Sequence, residues 1–281
     1  MTAAEATFPV RRVSFEEALR SLDRHFAGDL VASHLLASLS SVFPDGEDFF
    51  VRSVRHYRSE ITDPQLAKDV NAFIGQEMVH GREHRVFNDR LGALGYPTKW
   101  FEGLTKKGLA AGEKRSTPEQ NLAATAALEH FTATMGERLL RDDTLVRMIG
   151  DEHVKQLFLW HALEETEHKA VAFDVYRAVG GSERVRVKAM NAVTWQFLLT
   201  MVWQIGASLL RDRAAWNPIR LWRSLRYVAG SPLFSKQMWR TLRDYNRPGF
   251  HPNDHETADL LAAKRIELFG DDGRITPRLA A

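Results

Sequence analysis

The sequence predicts an all-α fold in which four long helices form an antiparallel bundle and further helices follow on the C-terminal side. Three observations predict this fold. Apolar residues recur with a helical period of about 3.6 residues over long stretches. No stretch alternates apolar and polar residues between turn signals, as a strand would. Helix start and stop signals divide the periodic stretches into two pairs. With 281 residues, 44% of them hydrophobic, the chain is long enough to bury a full core.

The first pair of helices is predicted between residues 29 and 94. The first helix begins near residue 29, is bent or restarted at Pro44, and continues to about Ile61. A break before Pro64 starts the second helix, because proline is favoured in a first helical turn. This helix is expected to end near Leu94, and residues 98–117 are expected to form a looser connection.

The second pair of helices is predicted between residues 116 and 181. "STPEQ" at 116–120 supplies a capping hydroxyl, a proline and an acidic residue, so it starts the third helix, which runs to about Arg141. The fourth helix is expected over 152–179, ended by two glycines. We expect a single domain over 1–281, with a core bundle at about 29–180, a helical extension at about 182–245, and a tail at 246–281 that contains one short helix.

The composition excludes several kinds of site. The chain has no cysteine, which excludes disulfides, zinc–thiolate sites, iron–sulfur clusters and thiol nucleophiles. Its 38 basic residues balance 36 acidic ones, and the net charge of +2 gives no reason to expect a nucleic-acid partner. The N-terminal "MTAAEATFPVRR" lacks a basic start followed by an apolar run, so a cytoplasmic protein without a signal peptide is expected.

Each of the four predicted helices carries a glutamate on its apolar, inward-facing stripe. An ionised carboxylate that faces an apolar core costs several kcal/mol unless it is paired or bound to a cation. No lysine lies near these glutamates on the stripes, so metal ions are the expected source of positive charge. The inward-facing residues are Glu47 on the first helix, Glu77, His80 and His84 on the second, Glu129 on the third, and His161, Glu165 and His168 on the fourth.

The spacing of these residues is typical of a dinuclear metal site. Glu77-x-x-His80 and Glu165-x-x-His168 each place a carboxylate and an imidazole on one helix face. Carboxylate bundles that bind two iron or two manganese ions combine two such motifs with one glutamate from each of two other helices. Oxygen and nitrogen ligands without thiolate suit these metals. We therefore expect two Fe ions, with Mn or a mixed Mn/Fe pair as the alternative.

Other titratable residues on these helices are assigned different roles. Glu164 lies close to the fourth-helix stripe and is an alternative partner of His168. Glu83 and Glu167 point away from the stripes and are expected to be solvated. The remaining patternless histidines are expected to be surface or packing residues, and these are His56, His130, His153, His251 and His255.

The stretches "FPDGEDFF", "FIGQEMVHGREH" and "WHALEETEHKAVAFDVY" resemble the ferritin-like family of predicted metal-dependent hydrolases. The resemblance covers about residues 30–245 and implies a ferritin-like four-helix bundle with a C-terminal helical extension. The ligand pattern is similar to that of the di-iron p-aminobenzoate N-oxygenases, in which the fourth helix adds a histidine one turn before its Glu-x-x-His. By this resemblance His161 joins the six motif residues as a ligand. His84 matches a ligand position less well, and we expect it either to contact the ligands without binding metal or to be a core residue.

These features predict a non-haem di-iron oxygenase or oxidase that activates O2 to oxidise a small organic substrate. A dinuclear metal-dependent hydrolase and a non-enzymatic iron-binding protein are the alternatives. Small residues near Glu129 predict either a substrate cavity beside the metals or close helix packing. These residues are Thr125, Ala126, Thr132, Ala133 and Gly136.

Residues 190–210 carry no charge and are long enough to span a bilayer. Polar residues recur in them every four positions, at Gln196, Thr200, Gln204 and Ser208. This period favours a buried helix that covers the bundle or forms a homodimer interface. A peripheral membrane contact through tryptophans and basic residues, suited to a lipophilic substrate, is the alternative.

Overall fold

The computed structural model describes residues 6–279, and within them the chain is all-α, with no strand. Short 3₁₀ turns connect several of the helices. The predicted all-α fold is confirmed. The α-helices are α1 Glu16–Leu19, α2 Leu30–His56, α3 Pro64–Ala93, α4 Thr98–Arg115, α5 Pro118–Arg141, α6 Asp143–Met148, α7 Glu152–His168, α8 Val171–Ala178, α9 Glu183–Leu209, α10 Pro218–Ala229, α11 Lys236–Asp244 and α12 Ala258–Phe269.

Four helical rods, α2, α3, α5 and α7 with α8, form the bundle. Helix α2 packs along α3 and against α5, α5 packs along α7 and α8, and α3 closes the bundle against both of these. Side-chain caps set where the rods begin, because the first N–H groups of a helix lack partners within it. Asp63 caps α3 ahead of Pro64, and Thr117 and Gln120 form a reciprocal capping box at the start of α5. The predicted helix starts at both places are confirmed.

Pro44 lies inside α2 without ending it. A proline has no N–H, so the carbonyl of Ser40, one turn earlier, loses its helical donor. The side-chain amide of Asn88 on α3 donates to this carbonyl at 3.0 Å. A neighbouring helix thus repairs the gap, and the rod continues to His56.

Three local expectations are wrong. Residues 98–117 form helix α4 rather than a loose connection. This helix fully buries only Thr98 and Phe101, so it has almost no apolar stripe to reveal it. A short helix, α6, occupies the predicted linker after α5. The predicted fourth helix breaks at Lys169 and Ala170 into α7 and α8, and the Lys169 ammonium donates to His255 O and Thr257 Oγ1 on the tail.

The bundle core is divided into two apolar clusters with a polar layer between them. One cluster contains Phe87, Leu91 and Leu157, and the other contains Val70 and Phe73 with partners from α2, α5 and α8. Buried glutamates and histidines occupy the layer between the clusters. The apolar stripes read from the sequence therefore meet in the core, and the polar positions within them fall at one level of the bundle.

Helix α9 covers the bundle along α5 and α2, which is one of the roles expected of the uncharged segment. The expectation that this helix is buried is wrong, because the side turned away from the bundle is exposed. The side facing the bundle buries the polar Gln204 and Ser208, whereas Trp195, Leu199 and Val202 are each about 70% exposed. No helix within residues 6–279 has the length and apolar character needed to cross a membrane.

Candidate metal centre

The structure brings all seven sequence-predicted site residues into the polar layer, and every one is buried. Their exposed fractions do not exceed 4%. Helix α2 contributes one, α3 two, α5 one and α7 three. Gly81 on α3 makes room for the α2 carboxylate, because a Cβ there would lie 3.2 Å from Glu47 Oε2. The residues brought together are Glu47, Glu77, His80, Glu129, His161, Glu165 and His168.

Glu165 lies at the centre of this cluster. Its Oε1 atom is 3.0 Å from His161 Nε2, 3.6 Å from His80 Nδ1 and 3.6 Å from His168 Nε2. Within the described residues, three groups of potential ligand atoms lie within 4.8 Å of one another. They are Glu47 with His80 and His161, Glu77 with Glu129 and His168, and Glu77 with His80 and Glu165. The first two groups share no residue, so the layer has room for two adjacent sites.

Most oxygen atoms of this cluster have no hydrogen-bond partner. Both carboxylate oxygens of Glu47, Glu77 and Glu129 are unpaired, as is Oε2 of Glu165. His168 Nε2 is 3.1 Å from Glu77 Oε1, but the two atoms are not aligned for a hydrogen bond. Buried polar atoms are almost always paired in native proteins, so this many orphans in one place require an explanation. A bound cation satisfies such oxygens together with the free histidine nitrogens.

Each of the three histidines has one ring nitrogen held from outside and the other directed at the carboxylates. His80 Nε2 is 3.0 Å from Glu164 Oε2, which leaves Nδ1 facing inward. His168 Nδ1 donates to Gln76 Oε1 at 2.9 Å, which leaves Nε2 inward. His161 Nδ1 is 2.6 Å from His84 Nε2. Metal-binding histidines are usually oriented in this way, through a hydrogen bond from the other ring nitrogen.

His84 lies behind His161 in a chain of hydrogen bonds. Its Nδ1 is 2.9 Å from Ser40 Oγ, and Ser40 Oγ in turn donates to Asn88 Oδ1 at 2.6 Å. Burial lowers the pKa of His84 well below its usual value, helped by the neighbouring His161 and His80, so the ring is neutral. A neutral His84 that donates from Nδ1 to Ser40 accepts at Nε2 from His161, which turns His161 Nε2 inward to 3.0 Å from Glu165 Oε1.

Sequence reasoning missed a second ring of charge outside the cluster. Arg11, in the segment before α1, binds Glu164 at 3.0 Å and Glu167 at 2.7 Å. Gln76 donates to Glu167 Oε2 at 3.2 Å while it accepts from His168. Glu164 therefore orients His80 rather than replacing Glu165 as the partner of His168. Arg11 is 153 residues from Glu164 in sequence, and no local pattern connects them.

The expectation that Glu83 and Glu167 are solvated is wrong. Glu83 is 2% exposed and accepts a hydrogen bond from the backbone N–H of Phe15. The Glu167 side chain is fully covered and also pairs with Arg265 of α12. The N-terminal segment and the C-terminal tail wrap the outer surface of the bundle, and they bury helix faces that a bare four-helix bundle would expose.

Burial and mutual repulsion raise the pKa values of three cluster carboxyls. The pKa values of Glu47 and Glu77 lie well above the usual range, and the pKa of Glu129 rises to about 7. Burial alone would also raise the pKa of Glu165, but its contacts with His161, His168 and His80 outweigh burial and hold that pKa low. Burial opposes the charge on His80, but Glu164 and Glu165 outweigh it and raise its pKa to about 10. Without a metal the cluster thus holds protons, which a cation must displace.

Two cavities reach the inner edge of the cluster and share Phe43, Thr132, His161 and Glu165 in their walls. The narrow cavity, about 100 Å³, is walled by apolar side chains from α2, α5, α6 and α7. The wide cavity, about 400 Å³, runs beneath α4 and α9 and also touches Glu47. His161 and Glu165 are thus accessible from both cavities, and Glu47 from the wide one.

The small residues of α5 were expected either to leave a substrate cavity or to allow close helix packing, and both roles occur. Thr132 lines both cavities. Gly136 lines the narrow one and also permits close packing, since a Cβ there would lie 3.0 Å from Ala162 O. Ala126 and Ala133 are buried in the bundle, and the Thr125 hydroxyl is 2.6 Å from Ser53 Oγ.

The fold and the cluster define an all-α bundle protein with a buried carboxylate–histidine centre capable of holding metal. The chain belongs to the family described as predicted metal-dependent hydrolase, whose model matches residues 9–256. This confirms the family resemblance read from the sequence. No curated protein and no solved structure matches the chain.

Proposed function

We propose that the cluster holds two divalent metal ions and that the protein is a dinuclear metal-dependent enzyme. The unpaired carboxylate oxygens of the polar layer carry this proposal. Four glutamates match the charge of two divalent cations, and carboxylate and imidazole ligands suit iron or manganese. Glu165 would be the central ligand of such a pair, because all three histidines surround its Oε1. The other proposed ligands are Glu47, Glu77, His80, Glu129, His161 and His168.

Hydrolysis is the first candidate reaction. The family description supports the hydrolytic alternative over the oxidation expected from the ligand pattern. When bound, a metal pair supplies Lewis-acid activation of water or, if it is iron, electrons for O2. The protein's own part is to orient the ligands through His84, Gln76 and Glu164, and to deliver a substrate along the cavities to His161 and Glu165.

Oxidation of a small organic substrate by O2 is the second candidate. One observation favours it, namely the apolar wall of the narrow cavity, where Leu36, Leu39 and Phe43 lead directly to His161 and Glu165. Such a wall offers no hydrogen-bond partner to a polar scissile group, but it accommodates the hydrocarbon part of a substrate. Among the described residues that line this cavity, the polar side chains are those of Thr132, His161 and Glu165.

Metal analysis tests the site. Purified protein is expected to bind two metal ions per chain, and Glu77→Ala or Glu165→Ala is expected to lose at least one. Glu17→Ala serves as control because Glu17 is 80% exposed on α1. Two ions retained at wild-type affinity in either variant would rule out the centre. Iron uptake that continues far beyond two ions would instead identify a non-enzymatic iron-binding protein.

A second experiment separates the two reactions. Protein loaded with Fe(II), Mn(II) or Zn(II) under nitrogen is offered chromogenic esters, amides and phosphoesters, and turnover without O2 supports hydrolysis. Fe(II)-loaded protein is then exposed to air with an oxygen electrode in place. Rapid O2 uptake that depends on Glu165, with no hydrolysis under nitrogen, supports oxidation and removes the hydrolytic proposal.

A further inference from the structure

Helices α9 and α10 both pack against the N-terminal half of α2 and turn their opposite sides to solvent. Ser208 of α9 is 2.6 Å from His34 Nδ1 of α2. Ser224 of α10 donates to the Asp29 carboxylate at 2.6 Å and accepts from the Val31 N–H. The covered sides of these two helices thus carry polar contacts as well as apolar ones, since Met190, Val193 and Met201 of α9 and Val228 of α10 are also buried.

The uncovered side of α9 is an apolar stripe. Trp195, Leu199 and Val202 are 67%, 67% and 71% exposed, and they follow one another at helical spacing. Leu210, just beyond the helix, extends the stripe and is 78% exposed. No charged residue interrupts the segment 190–210. Exposed apolar surface of this extent marks an interaction site.

The uncovered side of α10 mixes large apolar residues with arginines. Ile219 and Trp222 are more than 60% exposed, and they alternate with the exposed Arg220, Arg223 and Arg226. Trp216, on the turn before α10, is 71% exposed. Tryptophan is enriched where proteins meet the boundary between lipid headgroups and acyl chains.

The charge of this region is almost entirely positive. Between residues 210 and 243 the sole acidic residue is Asp212, which is 3% exposed and bonded to His25, His34 and Arg24. A surface without an exposed carboxylate is complementary to anions. The basic residues of this stretch are Arg211, Arg213, Arg220, Arg223, Arg226, Lys236, Arg240 and Arg243.

We propose that the outer sides of α9 and α10 form a surface that binds an anionic lipid bilayer. The apolar stripe and the exposed tryptophans enter the headgroup region, as in interfacial amphipathic helices. The arginines bind the phosphates of the lipids. Arg220 and Arg223 line a recess of about 320 Å³ with Asn217 and Asp29, which is large enough to receive a headgroup phosphate. The Asp29 carboxylate already accepts a hydrogen bond from Ser224, and the two arginines leave the recess with an excess of positive charge.

A second copy of the chain fits this surface less well. A two-fold dimer places the same patch against itself, so the arginines of α10 would face their own copies. Since residues 210–243 expose no carboxylate, these like charges would remain uncompensated. A bilayer containing anionic lipid provides both the apolar medium and the negative charge.

Vesicle co-sedimentation with the full-length, metal-loaded protein tests the proposal. Binding is expected to vesicles of phosphatidylcholine with about 30% phosphatidylglycerol, to be weak with phosphatidylcholine alone, and to fall as salt rises from about 50 to 500 mM. Arg220→Gln with Arg223→Gln is expected to weaken binding about 30-fold, on the basis of roughly five-fold per surface arginine. Lys106→Gln with Lys107→Gln, two exposed lysines of α4, is the charge-matched control.

The apolar contribution has its own variant. Trp195→Ser with Leu199→Ser is expected to lose at least ten-fold in vesicle binding, whereas Ile266→Ser, at a 73% exposed position of α12, should lose none. All variants should keep wild-type metal content and thermal stability, because the changed side chains touch neither the core nor the cluster. Equal binding to neutral and anionic vesicles, or no binding to either, overturns the proposal. So does a wild-type dimer that Trp195→Ser with Leu199→Ser converts to monomers, because the surface would then be an interface between copies.

Discussion

Removing one carboxylate from the centre should strengthen the metal-free fold while it weakens metal binding. Glu129 is 1% exposed, and its pKa rises to about 7, chiefly through burial and then through Glu165. The unfolded chain ionises the same carboxyl near its usual pKa of about 4.3. Since the folded protein keeps this proton to higher pH, its stability falls as the pH rises from below 4.3 through 7. Glu129→Gln removes this penalty.

The size of the effect follows from the pKa difference. A shift of about 2.7 pKa units corresponds to roughly 3.5 kcal/mol once the pH exceeds 7. We therefore expect metal-free Glu129→Gln to be about 3.5 kcal/mol more stable than wild type at pH 8, and only about 1.5 kcal/mol more stable at pH 5.5. In the presence of Fe(II) or Mn(II) the order should reverse, because the variant has one fewer ligand and binding to the native state stabilises it.

Urea unfolding with a chelator, at both pH values, measures this difference. The decisive quantity is how the difference in the free energy of unfolding between variant and wild type changes with pH. The size of that difference at a single pH also depends on how well the new amide packs. Glu17→Gln is the control, as Glu17 is 80% exposed and should give no advantage at either pH. A Glu129→Gln advantage that is the same at pH 8 and pH 5.5 would refute the reasoning, because it would show that Glu129 does not titrate abnormally in the fold.

Three further predictions concern residues around the centre. Burial lowers the pKa of His34 to about 4, and between pH 6.5 and 4 the unfolded chain binds a proton that the fold excludes. In metal-free urea unfolding, the free energy of unfolding of wild type should therefore fall by about 2 kcal/mol more than that of His34→Gln between pH 7 and pH 5. Equal falls in the two proteins would contradict this prediction. His84→Phe removes the acceptor behind His161, so chelator competition should show metal affinity reduced about 10- to 100-fold; unchanged affinity would leave His84 without a role. Asn88→Leu leaves the Ser40 carbonyl without a donor and should cost about 1–3 kcal/mol in urea unfolding, whereas a variant as stable as wild type would show that Pro44 needs no repair.

The rods of the bundle could be predicted from the sequence because their signals are local. Pro64 after a capping aspartate and the Thr117 cap each lie within a few residues of the helix that they start. The inward positions of Glu77 and Glu165 followed from a helical period alone, since each lies in phase with apolar residues one and two turns away. Helix α4 was not predicted because it lacks this signal: it buries too few residues to produce an apolar stripe.

The surroundings of the centre could not be predicted, because they depend on contacts between distant segments. Arg11 reaches Glu164 and Glu167 only after the N-terminal segment has crossed the outside of α7. The repair of Pro44 depends on which residue of α3 lies opposite Ser40, and helical periodicity does not specify the register between rods. Similarly, the four-residue period of Gln204 and Ser208 favoured a buried helix, but it did not show which side of α9 would face α2 and which would be exposed.

The contrast between the inner and outer parts of the polar layer bears directly on the proposed metal pair. The outer groups are fully paired: Glu164 has both Arg11 and His80, and Gln76 bonds through both its oxygen and its nitrogen. The inner carboxylate oxygens, within a few ångströms of these groups, have almost no partners. A core that failed to satisfy its polar atoms through poor packing would leave orphans at random positions. Here Glu164, Gln76 and His84 each hold one histidine so that its other ring nitrogen faces the inner carboxylates. The outer hydrogen bonds therefore fix the orientation of the inner ligands and hold them apart. A bound cation would stabilise this arrangement.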